Sequence, residues 1–308
     1  MRVLLVGQAA FAEKVLEGLL AAGHEIAAVV CPPDRGDKPD PVKAAAVARS
    51  IAVHQFKTLK GADARAAFEG ARADLGLLAY VTQIVPEPLL HVPRLTSLCF
   101  HPSLLPKYRG GSAIPWQLIK GETRTGVTVF WPDAGIDTGP ILLQREAVVG
   151  PDDTAGNLYY QTLFPLGVQA CVDAVALVAA GDPPRVPQDE RLATYDPLLA
   201  DEHAAIDWSR PAAELHDQIR GCDPSPGAHT TFGSMALRLF EPKRTTDTAA
   251  AAPGTVLSIA TDGIRIATAR GVVLCRRLRA TAAKASAADV ATAIGLAPTM
   301  RLGTVNSK

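Results

Sequence analysis

The sequence predicts an α/β protein with a parallel sheet, followed by a smaller β-rich region. Up to about residue 180, short apolar runs alternate with stretches of helical spacing, the pattern of parallel strands joined by helices. Residues 181–202 are rich in proline and charge, as linkers are. After residue 203, short apolar runs separated by turns indicate a small barrel or sandwich. We therefore predict a first domain at 1–181, a linker at 182–202 and a second domain at 203–308.

The first part of the chain begins with a buried strand. Residues 2–6 form an apolar run that ends at Gly7, which is typical of a parallel strand covered on both faces. The helical spacing of residues 9–22 ends at Gly23, a residue favoured after the C-terminus of a helix. The same reasoning predicts strands at 26–30, 53–56 and 75–80, and helices at 41–50 and 63–69.

The later elements follow from the same patterns. We expect a short strand at 98–100, a helical stretch before a strand at 126–131, and a strand at 141–149. Thr154 then caps a long helix that reaches about residue 180. The second region is predicted to hold a helix at 211–220 and strands at 236–240, 254–260, 263–267 and 271–278. The alanine-rich stretches 248–252 and 280–291 indicate flexible surface or a terminal helix.

The composition is that of a soluble globular protein, and the net charge limits the partners. Hydrophobic residues make up 48% and charged residues 20% of the 308, and the formal net charge is 0. Neutrality disfavours bulk electrostatic capture of nucleic acid or of an anionic membrane. Residues 203–308 carry 13 Lys and Arg against 8 Asp and Glu. This mild basic excess is explained equally well by an anionic partner and by ordinary scatter.

Several classes of function are disfavoured. The five cysteines are dispersed and form no CxxC pair, which predicts reduced thiols in a cytosolic protein. We find no apolar run of about 18 residues and expect no membrane span, and the start does not resemble a signal peptide. Gly7 is not followed by GxGxxG, so nicotinamide binding is not expected. No residues have the spacing of metal ligands, so no metal is expected.

Two polar residues within 95–141 suit proton transfer beside a reacting carbonyl. His101 follows a short strand and precedes a loop rich in proline and glycine, and Asp137 lies in a tight turn between Gly135 and Gly139. We expect His101 to protonate or hydrogen-bond a carbonyl oxygen. Asp137 is expected to hold the imidazolium and to accept or relay a proton. Cys99 is two residues before His101 on the strand, so the two side chains should point to the same side.

The stretch around these residues is similar to the signature of enzymes that use N10-formyltetrahydrofolate. It reads CFHPSLLPKYRGGSAIPW and, further on, GVTVFWPDAGIDTGPILLQ. The family includes methionyl-tRNA formyltransferase, glycinamide ribonucleotide formyltransferase, sugar N-formyltransferases and the hydrolase domain of 10-formyltetrahydrofolate dehydrogenase, which this chain resembles most. Similar motifs elsewhere are LLVGQAAF, PDRGDKPDP, PDDTAGNLYYQTLFPLG and IDWSRPAAELHDQIRGCDPSPGAH. The resemblance thus covers most of residues 1–232 and fades toward the C-terminus.

The resemblance implies a Rossmann-like N-terminal domain that holds the folate and an OB-like C-terminal domain. It carries catalytic roles to His101 and Asp137, with N10-formyltetrahydrofolate as the one-carbon donor. It places the pterin at the end of the strand at 75–80 and beside the turn that contains Asp137, while Ser103 either touches the folate or caps its loop. The predicted folate contacts are Leu78, Ala79, Tyr80, Val81, Gln83, Pro86, Ser103, Gly135, Ile136 and Thr138.

Cys99 departs from the family pattern. Most formyltransferases have an asparagine at the matching position, whose amide hydrogen-bonds the formyl oxygen. A thiol is a weak donor, and the loss of one oxyanion donor can raise the barrier by about 2.7–4 kcal/mol. The hydrolase domain of the dehydrogenase also has an apolar residue here, so Cys99 fits that subgroup better. A small buried strand residue is the alternative interpretation, and a covalent nucleophile is less favoured.

The resemblance leaves the formyl acceptor open. Water, giving formate, follows from the strongest likeness. A carrier-bound thiol is a further option, because in the dehydrogenase this domain works with a phosphopantetheine arm; here a separate carrier protein would have to supply it. A small-molecule amine is the main alternative, and initiator tRNA is less favoured because residues 203–308 are only mildly basic. A folate-binding module without catalysis is a hypothesis of a different class.

Three other side chains have plainer interpretations. Lys107 and Arg109 are candidates for contact with the glutamate tail of folate or with an acceptor phosphate, and a solvated rim is equally plausible. His216 lies in a predicted helix and is expected on its surface.

Overall fold

The computed structural model describes residues 1–34, 36–281 and 283–303. Arg35 of the PDRGDKPDP motif, Ala282 of the alanine-rich stretch and the last five positions of the predicted second domain lie outside the described residues. The chain divides into two compact units. Unit 1 comprises Met1–Gly110, Gly126–Ala147 and Gln161–Tyr195, and unit 2 comprises Gly111–Thr125, Val148–Tyr160 and Asp196–Lys308. The domain boundaries given above stay a prediction.

The strands and helices alternate in the first part of the chain and give way to a run of strands in the second. The strands are β1 Arg2–Gly7, β2 Glu25–Cys31, β3 Val53–Gln55, β4 Leu75–Ala79, β5 Ser97–His101, β6 Arg124–Phe130, β7 Ile141–Val148, β8 Ala228–Phe232, β9 Met235–Lys243, β10 Val256–Ala260, β11 Gly263–Ala267, β12 Val272–Arg279 and β13 Ala285–Ser286. The helices are α1 Ala9–Ala21, α2 Pro41–Val47, α3 Ala62–Ala71, α4 Glu87–Leu90, α5 Ala113–Ile119, α6 Ala155–Leu158, α7 Phe164–Ala180, α8 Ala212–Cys222 and α9 Ala287–Ile294.

Most of these elements match the sequence prediction to within a few residues. The sequence missed three short ones, α4, β8 and β13. Strand β8 reads AHTTF and has no apolar alternation, so its pairing with β9 decides its conformation. The alanine-rich stretch near the C-terminus contains helix α9, one of the two expectations for it.

Unit 1 is built on a seven-stranded sheet of the described residues, in the order β3-β2-β1-β4-β5-β6-β7. Strands β1 to β5 pair in parallel, which confirms the parallel-sheet prediction. Strand β6 runs antiparallel to β5, so the sheet is mixed toward that edge. The pairing sets His101 at the end of β5 opposite Thr128 of β6. The carboxyl ends of the parallel strands are where open α/β sheets bind ligands.

The helical run Ala155–Ala180 has 26 residues and is long and apolar enough to cross a membrane by length and composition. The sequence prediction that no such run exists is therefore wrong. The core helix of a soluble protein passes the same test, and α7 packs against α1. A Cβ on Gly167 of α7 would come within 2.5 Å of the Phe100 ring, so α7 packs directly against this side chain of β5.

Unit 2 contains an antiparallel sheet in the order β10-β11-β12-β9-β8, with β13 paired to β12. The prediction of a β-rich second region is confirmed, and closure into an OB-like barrel stays a prediction. The expectation that His216 lies on the surface is wrong, because the residue is only 3% exposed. Helix α8 packs against both α5 and β9, which buries a wider face than the sequence indicates. His216 there contacts Asp152 at 3.1 Å and Asp217 at 3.3 Å.

Candidate active site

His101 is held at the end of β5 with one ring nitrogen already engaged. Its Nε2 lies 2.7 Å from the carbonyl oxygen of Tyr108, and the side chain is buried. A carbonyl oxygen can only accept, so Nε2 must carry the hydrogen of this bond. In the neutral ring Nδ1 is then the unprotonated nitrogen. Any proton that His101 gives or takes in catalysis therefore passes through Nδ1.

Asp137 faces that nitrogen from the turn between β6 and β7. Its Oδ2 lies 3.4 Å from His101 Nδ1 and accepts a 2.7 Å hydrogen bond from the backbone N–H of Gly110. The backbone of Asp137 has a φ of 56°, in the left-handed region that aspartate tolerates better than most residues. The two side chains thus face each other, and a proton on Nδ1 converts the contact into an ion pair.

The loop after His101 is fixed by side-chain hydrogen bonds. The Ser103 hydroxyl donates to the carbonyl of Lys107 at 2.7 Å, and Thr128 Oγ1 donates to the carbonyl of Ser103 at 2.6 Å. Gln144 Nε2 donates to the carbonyl of Leu105 and to Thr128 Oγ1, both at 2.9 Å. Ser103 is fully buried, so its hydroxyl caps the loop. The predicted contact of Ser103 with folate stays a prediction.

The turn that carries Asp137 is shaped by its own neighbours. Asp133 Oδ1 accepts from the backbone N–H of Gly135 at 3.0 Å and from Thr138 Oγ1 at 2.5 Å. A Cβ on Gly135 would come within 2.0 Å of Thr138 Oγ1, so a side chain does not fit there. The side chain of Ile136 is half exposed beside Asp137. The predicted contact of Gly135, Ile136 and Thr138 with the pterin stays a prediction.

The other predicted folate contacts follow the end of β4. Leu78 and Ala79 are buried in the strand, and Tyr80 leaves it with a φ of 62° and 45% of its surface exposed. Tyr80, Val81 and Gln83 line a cleft at the carboxyl ends of β1, β2 and β4, and Pro86 is the N-cap of helix α4. This is the edge where a ligand of a parallel sheet is expected, while contact with folate stays a prediction.

Cys99 lies on the same face of β5 as His101. Phe100 between them points the other way, since its ring stacks on Phe11 at 4.5 Å. Burial, with the nearby Asp137 carboxylate adding to it, raises the pKa of the Cys99 thiol well above its ordinary value. The neutral thiol is a weak donor and a poor nucleophile. Within the described residues, no group of three or more His, Cys, Asp or Glu side chains has the arrangement of a metal site.

The residues that hold the Asp137 turn include several that no pattern in the sequence singles out. Arg109 is only 3% exposed and pairs with Glu190 at 2.6 Å, so the interpretation of Arg109 as a solvated rim is wrong. The Tyr195 hydroxyl donates to the carbonyl of Ile136 at 2.6 Å, and Gln188 Nε2 donates to the carbonyl of Asp137 at 2.8 Å. The predicted linker thus supplies contacts to the Asp137 turn. The polar run PQDER is the only feature of the sequence that points to this role.

Comparison with known proteins gives the family. Residues 1–175 match the family described as Formyl transferase, and residues 198–293 match its C-terminal domain. The chain is 41% identical over 245 residues to the cytosolic 10-formyltetrahydrofolate dehydrogenase of Xenopus tropicalis, covering 78% of this chain and 27% of that protein. It is 40% identical over 263 residues to the methionyl-tRNA formyltransferase of Solibacter usitatus, covering 83% of this chain and 84% of that protein. The chain thus spans about a quarter of the dehydrogenases it matches.

Solved structures agree in fold. WlaRD, a sugar 3N-formyl transferase, superposes with a TM-score of 0.70 at 16% identity, over 92% of this chain and 98% of that one. HypX from Aquifex aeolicus, solved in complex with tetrahydrofolic acid, superposes with a TM-score of 0.69 at 19% identity, over 94% of this chain and 47% of that one. At these identities the likeness shows the fold alone. The matches over both parts of the sequence establish that the chain belongs to the formyl transferase family.

Proposed function

We propose that this protein takes the formyl group from N10-formyltetrahydrofolate, releases tetrahydrofolate and gives the formyl group to water as formate. The observation that carries the proposal is the pair formed by His101 Nδ1 and Asp137 Oδ2 at 3.4 Å, with Nε2 bonded to the Tyr108 carbonyl. Membership of the formyl transferase family supports the donor. The 41% identity to a 10-formyltetrahydrofolate dehydrogenase supports water over other acceptors.

The two side chains divide the proton transfers between them. His101, charged at Nδ1, hydrogen-bonds the formyl oxygen as it becomes an oxyanion, and the low exposure of the ring strengthens this interaction. The Asp137 carboxylate stabilises the imidazolium and accepts a proton from the attacking water. The proton then passes to N10 of the leaving tetrahydrofolate. The pterin lies between the end of β4 and the Gly135–Thr138 turn in this proposal.

Cys99 is the feature that favours water within the family. A thiol at this position leaves the oxyanion almost entirely to His101. The missing amide donor weakens oxyanion stabilisation for any acceptor, so the preference for water rests on the likeness of this position to the hydrolase domain of the dehydrogenase. Cytosolic location remains a prediction, supported by the dispersed cysteines.

Transfer to an amine is the second candidate. It is supported by the methionyl-tRNA formyltransferase that this chain matches over most of its length. A carrier-bound thiol is a third acceptor. A folate-binding module without catalysis remains the hypothesis of a different class.

A turnover assay separates these candidates. The protein is incubated with N10-formyltetrahydrofolate, and formate and tetrahydrofolate are measured alone, with an amino sugar nucleotide, with methionyl-tRNA and with free phosphopantetheine. Equal amounts of formate and tetrahydrofolate without an acceptor support the hydrolase. Consumption that requires an amine or the thiol contradicts hydrolysis and identifies the acceptor. Tetrahydrofolate binding without any turnover supports the binding module.

A further inference from the structure

The side chain of Gln188 makes four hydrogen bonds around the Asp137 turn. Its Oε1 accepts from Arg109 Nη2 at 2.8 Å and from Arg109 Nε at 3.1 Å. Its Nε2 donates to the carbonyl of Asp137 at 2.8 Å and to the carbonyl of Gly139 at 2.7 Å. One amide therefore joins a buried arginine to two carbonyls in the second half of the turn, those of Asp137 and Gly139.

Arg109 fixes the orientation of that amide. An arginine has only donors, so it binds the oxygen of Gln188 and leaves the NH2 group toward the turn. Arg109 is itself held by both carboxylate oxygens of Glu190, at 2.6 Å and 2.9 Å, and its backbone N–H donates to the carbonyl of Thr194. The Glu190 hydrogen bond also keeps the pKa of the Arg109 guanidinium above its usual value. The donor groups of Gln188 are therefore aimed before any substrate binds.

The bonded carbonyls set the position of the carboxylate. Asp137 adopts a left-handed backbone conformation that is unfavourable for most non-glycine residues. The hydrogen bonds from Gln188 to the carbonyls of Asp137 and Gly139 hold the turn in this conformation. That conformation brings Oδ2 within 3.4 Å of His101 Nδ1 and within 2.7 Å of the Gly110 N–H. Without the two donors, the Asp137 and Gly139 carbonyls would lose their partners in a part-buried site.

We infer that Gln188 is a positioning residue that keeps the Asp137 carboxylate aligned on His101. The inference rests on the proposed function, because it assigns Gln188 to the catalytic step of the same site. Gln188 acts only through the backbone of the turn and does not touch the reacting atoms.

The test uses Gln188→Glu, which keeps the acceptor for Arg109 and removes both donors at nearly the same volume. We expect kcat to fall by about 10- to 100-fold, since a misplacement of about 1 Å can cost about 100-fold. KM and the Kd for tetrahydrofolate should stay within about twofold of the wild-type values. The melting temperature should stay within a few degrees of the wild-type value. Gln169→Glu is the matched control, because Gln169 is exposed on α7 and donates to Asp173 there. A wild-type kcat in Gln188→Glu would overturn the inference.

A second comparison separates positioning from general damage. In the Asp137→Asn background, Gln188→Glu should cause little additional loss of kcat, because its effect passes through Asp137. A multiplicative loss would contradict that route. Gln188→Ala tests the same point without adding a charge, should the glutamate variant fold poorly.

A spectroscopic readout keeps this inference distinct from the proposed function. With nitrogen-labelled histidine, the NMR signal of His101 Nδ1 should shift in Gln188→Ala and stay unchanged in Gln169→Glu, even if the protein shows no turnover. Absence of turnover with this shift present would refute the proposed function and leave the structural role of Gln188 standing. An unchanged Nδ1 signal would refute the role of Gln188 itself.

Discussion

At the scale of single residues, the site depends on which atom of each side chain is already occupied. Nε2 of His101 donates a hydrogen bond to the carbonyl of Tyr108, and Oδ2 of Asp137 accepts one from the Gly110 N–H. The pair is left with one nitrogen that can gain a proton and one carboxylate that can stabilise it. The residue types alone indicate acid–base chemistry. The tautomer of His101 can be assigned only from the folded position of Tyr108, which lies seven residues further along the chain.

Removal of either member of this pair should abolish turnover. We expect His101→Ala and Asp137→Ala each to lower kcat by at least about 100-fold, the usual contribution of a positioned acid or base. Both should keep the Kd for tetrahydrofolate within about threefold, because the predicted pterin contacts lie on other residues. Isothermal titration and the formate assay measure the two quantities. Turnover near the wild-type rate in either variant would refute the assigned roles.

Cys99 offers a test of how the acceptor is selected. Cys99→Asn places an amide donor on the same face of β5 as His101, so it should leave the melting temperature close to the wild type and change the ratio of amine transfer to hydrolysis. The ratio is measured from formate and formylated amine in one reaction, with the exposed-site variant Gln169→Glu as control. An unchanged ratio would count against any role of Cys99 in the site.

At the scale of elements, the site depends on how α7 packs on the sheet beneath His101. Gly167 lies against the rings of Phe100 and Phe11, and a Cβ there would come within 2.5 Å of the first and 3.0 Å of the second. These rings lie on the opposite face of β5 from Cys99. The apolar spacing of α7 predicts a helix from the sequence. The sequence does not predict that this contact requires glycine.

Two matched glycine substitutions test this packing. Gly167→Ala should lower the free energy of unfolding by about 1–3 kcal/mol, because the added methyl group overpacks the core. Gly70→Ala, near the end of α3 with nothing within 4 Å of the new Cβ, should raise the free energy of unfolding by up to about 1 kcal/mol. Urea unfolding measures both. A stability gain in both variants would show that the Phe100 ring yields freely.

Segment 182–195 shows the limit of composition as a guide to an element. Its prolines and charges predict a linker, yet Val186 pairs with Ile141 and the Trp131 indole donates to the carbonyl of Pro184 at 2.9 Å. Such contacts join residues far apart in the chain, so no local sequence pattern predicts them. Two polar side chains of this segment, Gln188 and Tyr195, donate hydrogen bonds to carbonyls of the Asp137 turn.

At the scale of the whole molecule, charge bears on the acceptor. The formal net charge is 0, and residues 203–308 have only five more basic than acidic residues. Several of these arginines are paired within unit 2, such as Arg238 with Asp201 and Arg265 with Asp262. These ion pairs reduce the positive charge that residues 203–308 can offer to phosphates.

We expect weak, unselective binding of initiator tRNA. Fluorescence anisotropy at physiological salt should give a Kd in the nonspecific range of about 10⁻⁴ to 10⁻⁶ M, equal for initiator and elongator tRNA. Elongator tRNA is the control for selectivity. Nanomolar binding of the initiator alone would contradict this expectation and favour transfer to methionyl-tRNA.

The sequence by itself determined the order of the longer strands and helices, the β-rich character of the second region, and two residues of the types that suit acid–base catalysis. These follow from local patterns: apolar periodicity, caps and turns, and the chemistry of imidazole and carboxylate. Only the tertiary structure decided which nitrogen of His101 faces Asp137, that Arg109 is buried, and that Gln188 bonds the turn. Each of these depends on contacts between segments distant in the chain, whose geometry is set when the sheet assembles and the loops pack on its edge.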